Sequence, residues 1–208
     1  VLNQMTALRA RRSDHPVRRA KEVPYIKGPT DQPGLTVQVS SLEQLTPRLL
    51  ESEVSMLYVP LHLLAADTKL CQLLAARGRV AAVLPRVVHD DELPRLRNRM
   101  SQVRTLGIRD CLVGNMGLLI PAMEAGFRLR GDFGLNIFNS VSANVARELK
   151  LSSATLSFEM TLPQVRDISK AVNMELIAYG RLPLMITEQC LIKNKTGECA
   201  CQSGVPVK

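Results

Sequence analysis

The run Val80-Ala81-Ala82-Val83-Leu84, the patterned segment from Asp91 to Leu106, the stop at Gly107 and the second run Cys111-Leu112-Val113 decide the fold of this chain. A short unbroken apolar run reads as a strand buried on both faces, and the longer segment with helical periodicity reads as its crossover. Two strands joined in this way lie parallel, because a tight hairpin cannot connect them.

The same unit recurs on either side. Further strands are predicted at Leu35–Val39, Met56–Val59, Gly134–Phe138, Thr155–Phe158 and Leu176–Tyr179. Helices are predicted at Ser41–Glu51, Leu64–Arg77, Gly117–Ala125, Val141–Leu149 and Leu162–Val172. Gly78, Gly107 and Gly126 follow helices, where glycine supplies the left-handed stop. Ser140 and Thr161 read as N-caps, with Pro163 in the first turn of its helix. Repeated βα units imply a parallel sheet covered by helices. A doubly wound sheet calls for a glycine-rich turn after its first strand, and Val39-Ser40-Ser41-Leu42 has none. The prediction is therefore an α/β fold of the TIM-like (β/α) barrel kind, incomplete here, or drawing its last strand from sequence beyond Lys208. Residues 1–34 read as a basic arm and linker, 35–189 as the barrel and 190–208 as a cysteine-bearing tail.

Hydrophobic residues make up 46% and charged residues 22% of 208, a globular balance. The uncharged stretch Val54 to Ala66 is too short to span a bilayer, and nothing marks export, so no membrane contact and a cytoplasmic location are expected. The net charge is +8, and Arg9, Arg11, Arg12, Arg18, Arg19 and Lys21 crowd the arm. Such a block reads first as a solvated segment and second as a phosphate attractor. With aromatic residues at 3% and no tryptophan, any RNA contact is expected to be mainly electrostatic.

In a parallel barrel the functional face is made by residues just after each strand. Those positions carry His62, Arg86, Asn115, Asn139, Glu159 and Arg181. Glu159 offers an acid or base, Arg86 and Arg181 fixed cations, and Asn115 and Asn139 amides, a catalytic set suited to an anionic or amide-rich ligand. Each has a plainer role: Glu159 favours the start of the helix near Thr161, the arginines suit surface ion pairs, and His62 suits packing. Cys71 and Cys111 fall in apolar runs and read as buried small hydrophobes. Cys190, Cys199 and Cys201 fall in a polar tail, where core packing does not explain them. A metal or iron-sulfur centre, a redox pair and a disulfide all remain open for these three, although their spacing is not that of a zinc ribbon. No nucleophile elbow, HExxH or P-loop occurs.

The segment Tyr179-Gly180-Arg181-Leu182-Pro183-Leu184-Met185-Ile186-Thr187-Glu188-Gln189-Cys190 resembles the signature of the collagenase-like peptidases of family U32. There a His-Gly-Ala turn is followed by two cysteines seven positions apart; the second falls on Cys190 and the first on Pro183. This version is similar to the second half of the longer bacterial members, which share Leu84-Pro85-Arg86 and the strand containing Asn136 and Asn139. The resemblance implies a barrel-like fold and a hydrolase label. Through members similar to RNA or quinone hydroxylation factors, it also implies a role in RNA modification or hydroxylation. Those members carry an iron-sulfur cluster on four cysteines. Cys190 corresponds directly to one ligand, and Cys199 and Cys201 to later cofactor-binding, metal-holding positions. True proteolysis of collagen-like or unfolded peptides is one alternative, and a non-catalytic binding or scaffold barrel is another. The expected partners are an RNA or peptide substrate and, through an exposed strand edge, a second copy in a homodimer.

Overall fold

The computed structural model describes residues 2–10, 22–28, 32–183, 186 and 191–197. It divides into two units, Val1–Leu176 and Ile177–Lys208. The first contains a seven-stranded parallel sheet: β1 (Thr36–Gln38), β2 (Met56–Pro60), β3 (Val80–Val83), β4 (Asp110–Val113), β5 (Arg128–Gly131), β6 (Ser153–Thr155) and β7 (Asn173–Glu175). Each strand pairs with its sequence neighbour, so the spatial order is β1 to β7 without a crossing. The helices of this unit are α1 (Leu2–Ala10), α2 (Pro47–Glu51), α3 (Leu61–Ala66), α4 (Thr68–Ala76), α5 (Leu93–Thr105), α6 (Leu119–Glu124), α7 (Ser140–Glu148) and α8 (Leu162–Asp167). The second unit contains α9 (Leu191–Thr196).

Alternation along the strands sorts the side chains into two layers. Leu57, Val59, Ala82, Cys111, Val113, Leu129 and Ala154 belong to the large core shared with the helices. Met56, Tyr58, Ala81 and Leu112 form a separate cluster on the other face of the sheet. That face is concave: the carboxylate of Glu175 on β7 accepts from the Tyr58 hydroxyl on β2 at 2.7 Å and lies 3.4 Å from the Thr36 hydroxyl on β1. The sheet therefore curls into an incomplete (β/α) barrel, as its sequence predicts. Its first and last strands are bridged by side chains and exchange no ladder bonds among the described residues.

Local chemistry explains where the elements start and stop. The predicted helix over Leu64–Arg77 is two helices, because the Asp67 carboxylate accepts from the Leu70 N–H at 3.0 Å and caps α4. Asn139, rather than Ser140, caps α7, its Oδ1 accepting from the Ser142 N–H at 2.8 Å. Ser140 instead accepts from the Ser169 N–H at 3.0 Å. Thr161 is the N-cap of α8, as expected, and its N–H donates to Gln164 Oε1 at 2.8 Å.

The last three strands lie N-terminal to their predicted places. β5 is Arg128–Gly131 and not Gly134–Phe138, whose first half is a 3-10 turn, Phe133–Leu135. β6 and β7 are likewise displaced, to Ser153–Thr155 and Asn173–Glu175. Part of the predicted linker is pinned to the barrel: the Lys170 N–H donates to the Ile26 carbonyl at 2.8 Å and the Ile26 N–H to the buried Ser169 hydroxyl at 2.9 Å.

Candidate functional site

Two groups of polar side chains distinguish this barrel, one inside it and one at the C-terminal ends of the strands. Inside, Asp110 at the start of β4 accepts both N–H groups of a fork from Arg128 at 2.7 Å and a third bond from Arg130 Nε at 3.3 Å. Arg130 Nη1 in turn donates to Glu175 at 3.2 Å. The hydroxyl of Ser153 donates to the same carboxylate at 2.5 Å, alongside that of Tyr58. The Asp110 side chain is 3% exposed, Glu175 15% and Arg130 18%, so this is a semi-buried chain of charges in which every member has a partner. Saturation of this kind fixes geometry; it leaves no free base.

Burial raises the Tyr58 pKa well above the ordinary tyrosine value, and the negative charge of Glu175 raises it further. Unfolded Tyr58 releases its proton near pH 10 while the folded residue keeps it, so stability present below pH 10 is lost as pH rises above it. Tyr58→Phe is expected to cost about 2 kcal/mol at neutral pH, the net worth of a hydrogen bond to a charged group. It is also expected to flatten the alkaline fall in unfolding free energy measured by urea titration from pH 8 to 11. A variant with the wild-type alkaline slope would show that another group carries it.

At the C-terminal end the structure brings Arg86 and Asn115 together. Asn115 Nδ2 donates to the Arg86 carbonyl at 3.0 Å, and its Oδ1 accepts from the Gly117 N–H at 2.8 Å. The Arg86 guanidinium lies over the ring of Phe133, 4.7 Å from the centroid, within cation–π range. Phe133 meets Phe158 edge-on at 5.8 Å, and Phe158 precedes Glu159. Arg86 Nη1 is buried and has no hydrogen-bond partner among the described residues. Asp132, directly after β5, faces this group. Burial raises its pKa, opposed by the Phe133 N–H that it accepts at 2.8 Å and by the charge of Arg86. A protein group that leaves a buried guanidinium nitrogen unmatched ordinarily offers it to water or to an anion.

The remaining predicted site residues separate. Asn139 is the exposed cap of α7, its amide oxygen committed to backbone. Glu159 is exposed and lines a cleft of about 200 Å³. His62 is an exposed residue of α3, where partial burial and the neighbouring Arg99 lower its pKa. Arg181 is exposed in the second unit. Cys190, Cys199 and Cys201 lie outside the described residues. Cys71 and Cys111 are free and fully buried, with pKa values raised by burial, as expected of small core side chains. Among the described residues no three metal-ligating side chains converge.

A larger cavity, about 910 Å³, lies elsewhere. It is a groove at the N-terminal ends of β3 to β5, lined by Arg104, Arg109, Arg128 and the glycine stops of α4 and α5. Its single acid, Asp110, is fully engaged, so size does not mark the reactive end here. In barrels of this kind that end is the C-terminal one.

The sequence reading overlooked Asp132, Tyr58, Asp110, Arg130 and Glu175. Asp132 is a strand-end residue hidden by the misplacement of β5. The others sit within strands, where a parallel sheet is expected to be apolar. Alternation of Arg128, Arg130 and Ser153 with buried Leu129 and Ala154 was the available signal.

A curled parallel sheet with a charged interior and a polar C-terminal mouth defines an incomplete (β/α) barrel protein, and fold alone goes no further. Residues 67–204 match the model of peptidase family U32, and the chain belongs to that family. Comparison with curated proteins gives no match. No helix among the described residues is long and apolar enough to cross a membrane.

Proposed function

We propose that this U32-family chain takes part in RNA modification of the hydroxylation type in the cytoplasm, holding the phosphate backbone of its substrate at the C-terminal mouth of the barrel. The observation that carries the reading is the buried, unmatched Nη1 of Arg86, held in place by Phe133. A guanidinium so placed is a preorganised anion anchor, and a phosphate oxygen is its natural complement.

Cys190, Cys199 and Cys201 supply three thiol donors, and Pro183, at the place of the signature's first cysteine, supplies none. Cys71 and Cys111 are both 0% exposed and packed in the core, so they do not complete the set. The donor set fits a cluster held at three protein corners, with Cys190, Cys199 and Cys201 as ligands. When bound, an iron-sulfur cluster supplies one-electron redox chemistry. The barrel residues contribute binding: Arg86 anchors the anion, Asn115 clamps the Arg86 backbone, and Asp132 balances its charge.

Proteolysis has one structural argument, the Ser153 hydroxyl bonded to Glu175 at 2.5 Å. Ser153 is 2% exposed, and Glu175 also serves Tyr58 and Arg130, so the pair is built for support and not for attack on a peptide.

Single-stranded RNA binding measured across a salt series tests the anchor. Arg86→Ala is expected to reduce the slope of log affinity against log salt by about 1, the signature of one lost phosphate contact. An unchanged slope removes Arg86 from the interface. Anaerobic purification with iron and sulfide analysis tests the cluster, and absence of both in the wild-type chain rejects it. Cleavage of denatured collagen that is insensitive to Arg86→Ala would favour the peptidase reading.

A further inference from the structure

We propose that the cleft between the β5–α7 and β6–α8 loops is a nucleobase pocket selective for guanine; this rests on the RNA reading above and specifies which base the mouth receives. The chain has only four phenylalanines, and Phe133, Phe138 and Phe158 all lie on these two loops. Phe138 is 54% and Phe158 44% exposed, an unusual outlay of aromatic surface for a protein with 3% aromatic residues. The cleft, about 200 Å³, is lined by Asn136, Phe138, Ser157, Glu159, Met160 and Gln164. An aromatic face beside polar edge groups suits a flat heteroaromatic ring, which single-stranded RNA presents when a base is unstacked.

The polar groups choose among the bases. The Glu159 carboxylate has no partner among the described residues and offers two adjacent acceptors. Guanine is the base whose pairing edge presents two adjacent donors, N1–H and the N2 amino group. Gln164 Oε1 is already taken by the Thr161 N–H at 2.8 Å and its hydroxyl at 3.1 Å, which leaves the amide Nε2 to donate. The guanine O6 is the matching acceptor. Asn136, held in the left-handed region at φ 50° with its N–H donating to the Phe133 carbonyl at 2.9 Å, closes one side. An arginine side chain of a peptide would also present paired donors to Glu159. Arg86, two ring contacts away through Phe133 and Phe158, and a net charge of +8 favour a guest that carries phosphate over one that carries positive charge.

The test is calorimetric titration of the full chain with GMP, AMP, CMP, UMP and free arginine. GMP is expected to bind about tenfold or more tightly than the other three nucleotides, the discrimination that one bidentate edge contact gives. Glu159→Gln should erase that preference without changing the weak binding of UMP, and Phe138→Ala should weaken all four nucleotides about tenfold through lost stacking. Both side chains are exposed, and the thermal midpoint of each variant checks that the fold is kept. Equal affinity for the four nucleotides, arginine binding more tightly than GMP, or an unaltered preference in Glu159→Gln each overturns the pocket. Equal nucleotide affinities together with salt-dependent, Arg86-dependent RNA binding would overturn the pocket alone. An RNA salt slope insensitive to Arg86→Ala, with GMP preference intact, would overturn the backbone anchor alone.

Discussion

Glu175→Ala is expected to remove about 3 to 5 kcal/mol of unfolding free energy, the cost of taking one partner from a buried charged network. The carboxylate binds the hydroxyls of Tyr58 and Ser153 and a nitrogen of Arg130, and its own side chain is 15% exposed. Alanine would leave two buried hydroxyls without an acceptor and Arg130 with Asp110 as its remaining carboxylate. A domain of this size commonly has about 5 to 15 kcal/mol in total, so roughly a fifth or more of it is at stake. Glu175→Gln keeps the volume and one acceptor and loses the charge, and its cost should be nearer 2 kcal/mol. Urea unfolding with an unchanged slope and a lowered midpoint is the expected readout. A loss below about 1 kcal/mol in the alanine variant would show that Tyr58, Ser153 and Arg130 find other partners inside the barrel.

Gly134→Ala should also be costly, for a different reason. A Cβ at Gly134 would lie 2.5 Å from the carbonyl oxygen of Gly114 and 3.2 Å from its carbon, and both are main-chain atoms. Gly114 cannot retreat easily, since the Asp132 N–H donates to the carbonyl of its neighbour Val113 at 2.9 Å and locks the two loops together. The loop carrying Phe133 must shift instead. The expected cost is about 1 to 3 kcal/mol, typical of overpacking, with a lower thermal midpoint. Displacement of Phe133 also takes away the ring under Arg86, so the salt slope for RNA should fall as it does in Arg86→Ala. A variant with unchanged midpoint and RNA binding would mean that the loop reseats without disturbing the guanidinium.

The order of strands and helices could be read from the sequence because β2, β3 and the body of β4 are apolar and because the cap Thr161 and stops such as Gly107 announce helix ends. The displacement of β5, β6 and β7 has one cause. Arg128, Arg130, Ser153 and Glu175 are polar residues on strands, tolerated since they face one another across the concave side of the sheet. A reading that follows apolar runs slides past them to Ile137, Leu156 and Leu176. The same slide hid Asp132 and moved attention to Asn139, whose amide serves its helix. Arg86 and Asn115 were found because β3 and β4 end where their apolar runs end. What sequence spacing could not supply was the clustering of Phe133, Phe138 and Phe158, which lie at irregular intervals in the chain and on two adjacent loops in space.

The strict neighbour-to-neighbour order of the sheet bears on how the molecule is made. Every strand from β2 onward pairs with a strand already synthesised, so the sheet can grow as the chain leaves the ribosome without waiting for a distant segment. Besides the contacts of Ile26 with Ser169 and Lys170, those from Glu175 to Tyr58 and Thr36 are exceptions, joining residues 117 and 139 positions apart. They form only after β7 has emerged, and such long-range closures are the slow events of folding. Cooperativity of the whole barrel thus depends on a few polar atoms that arrive last, and a nascent chain halted before Glu175 would hold a growing sheet that has not yet become one unit.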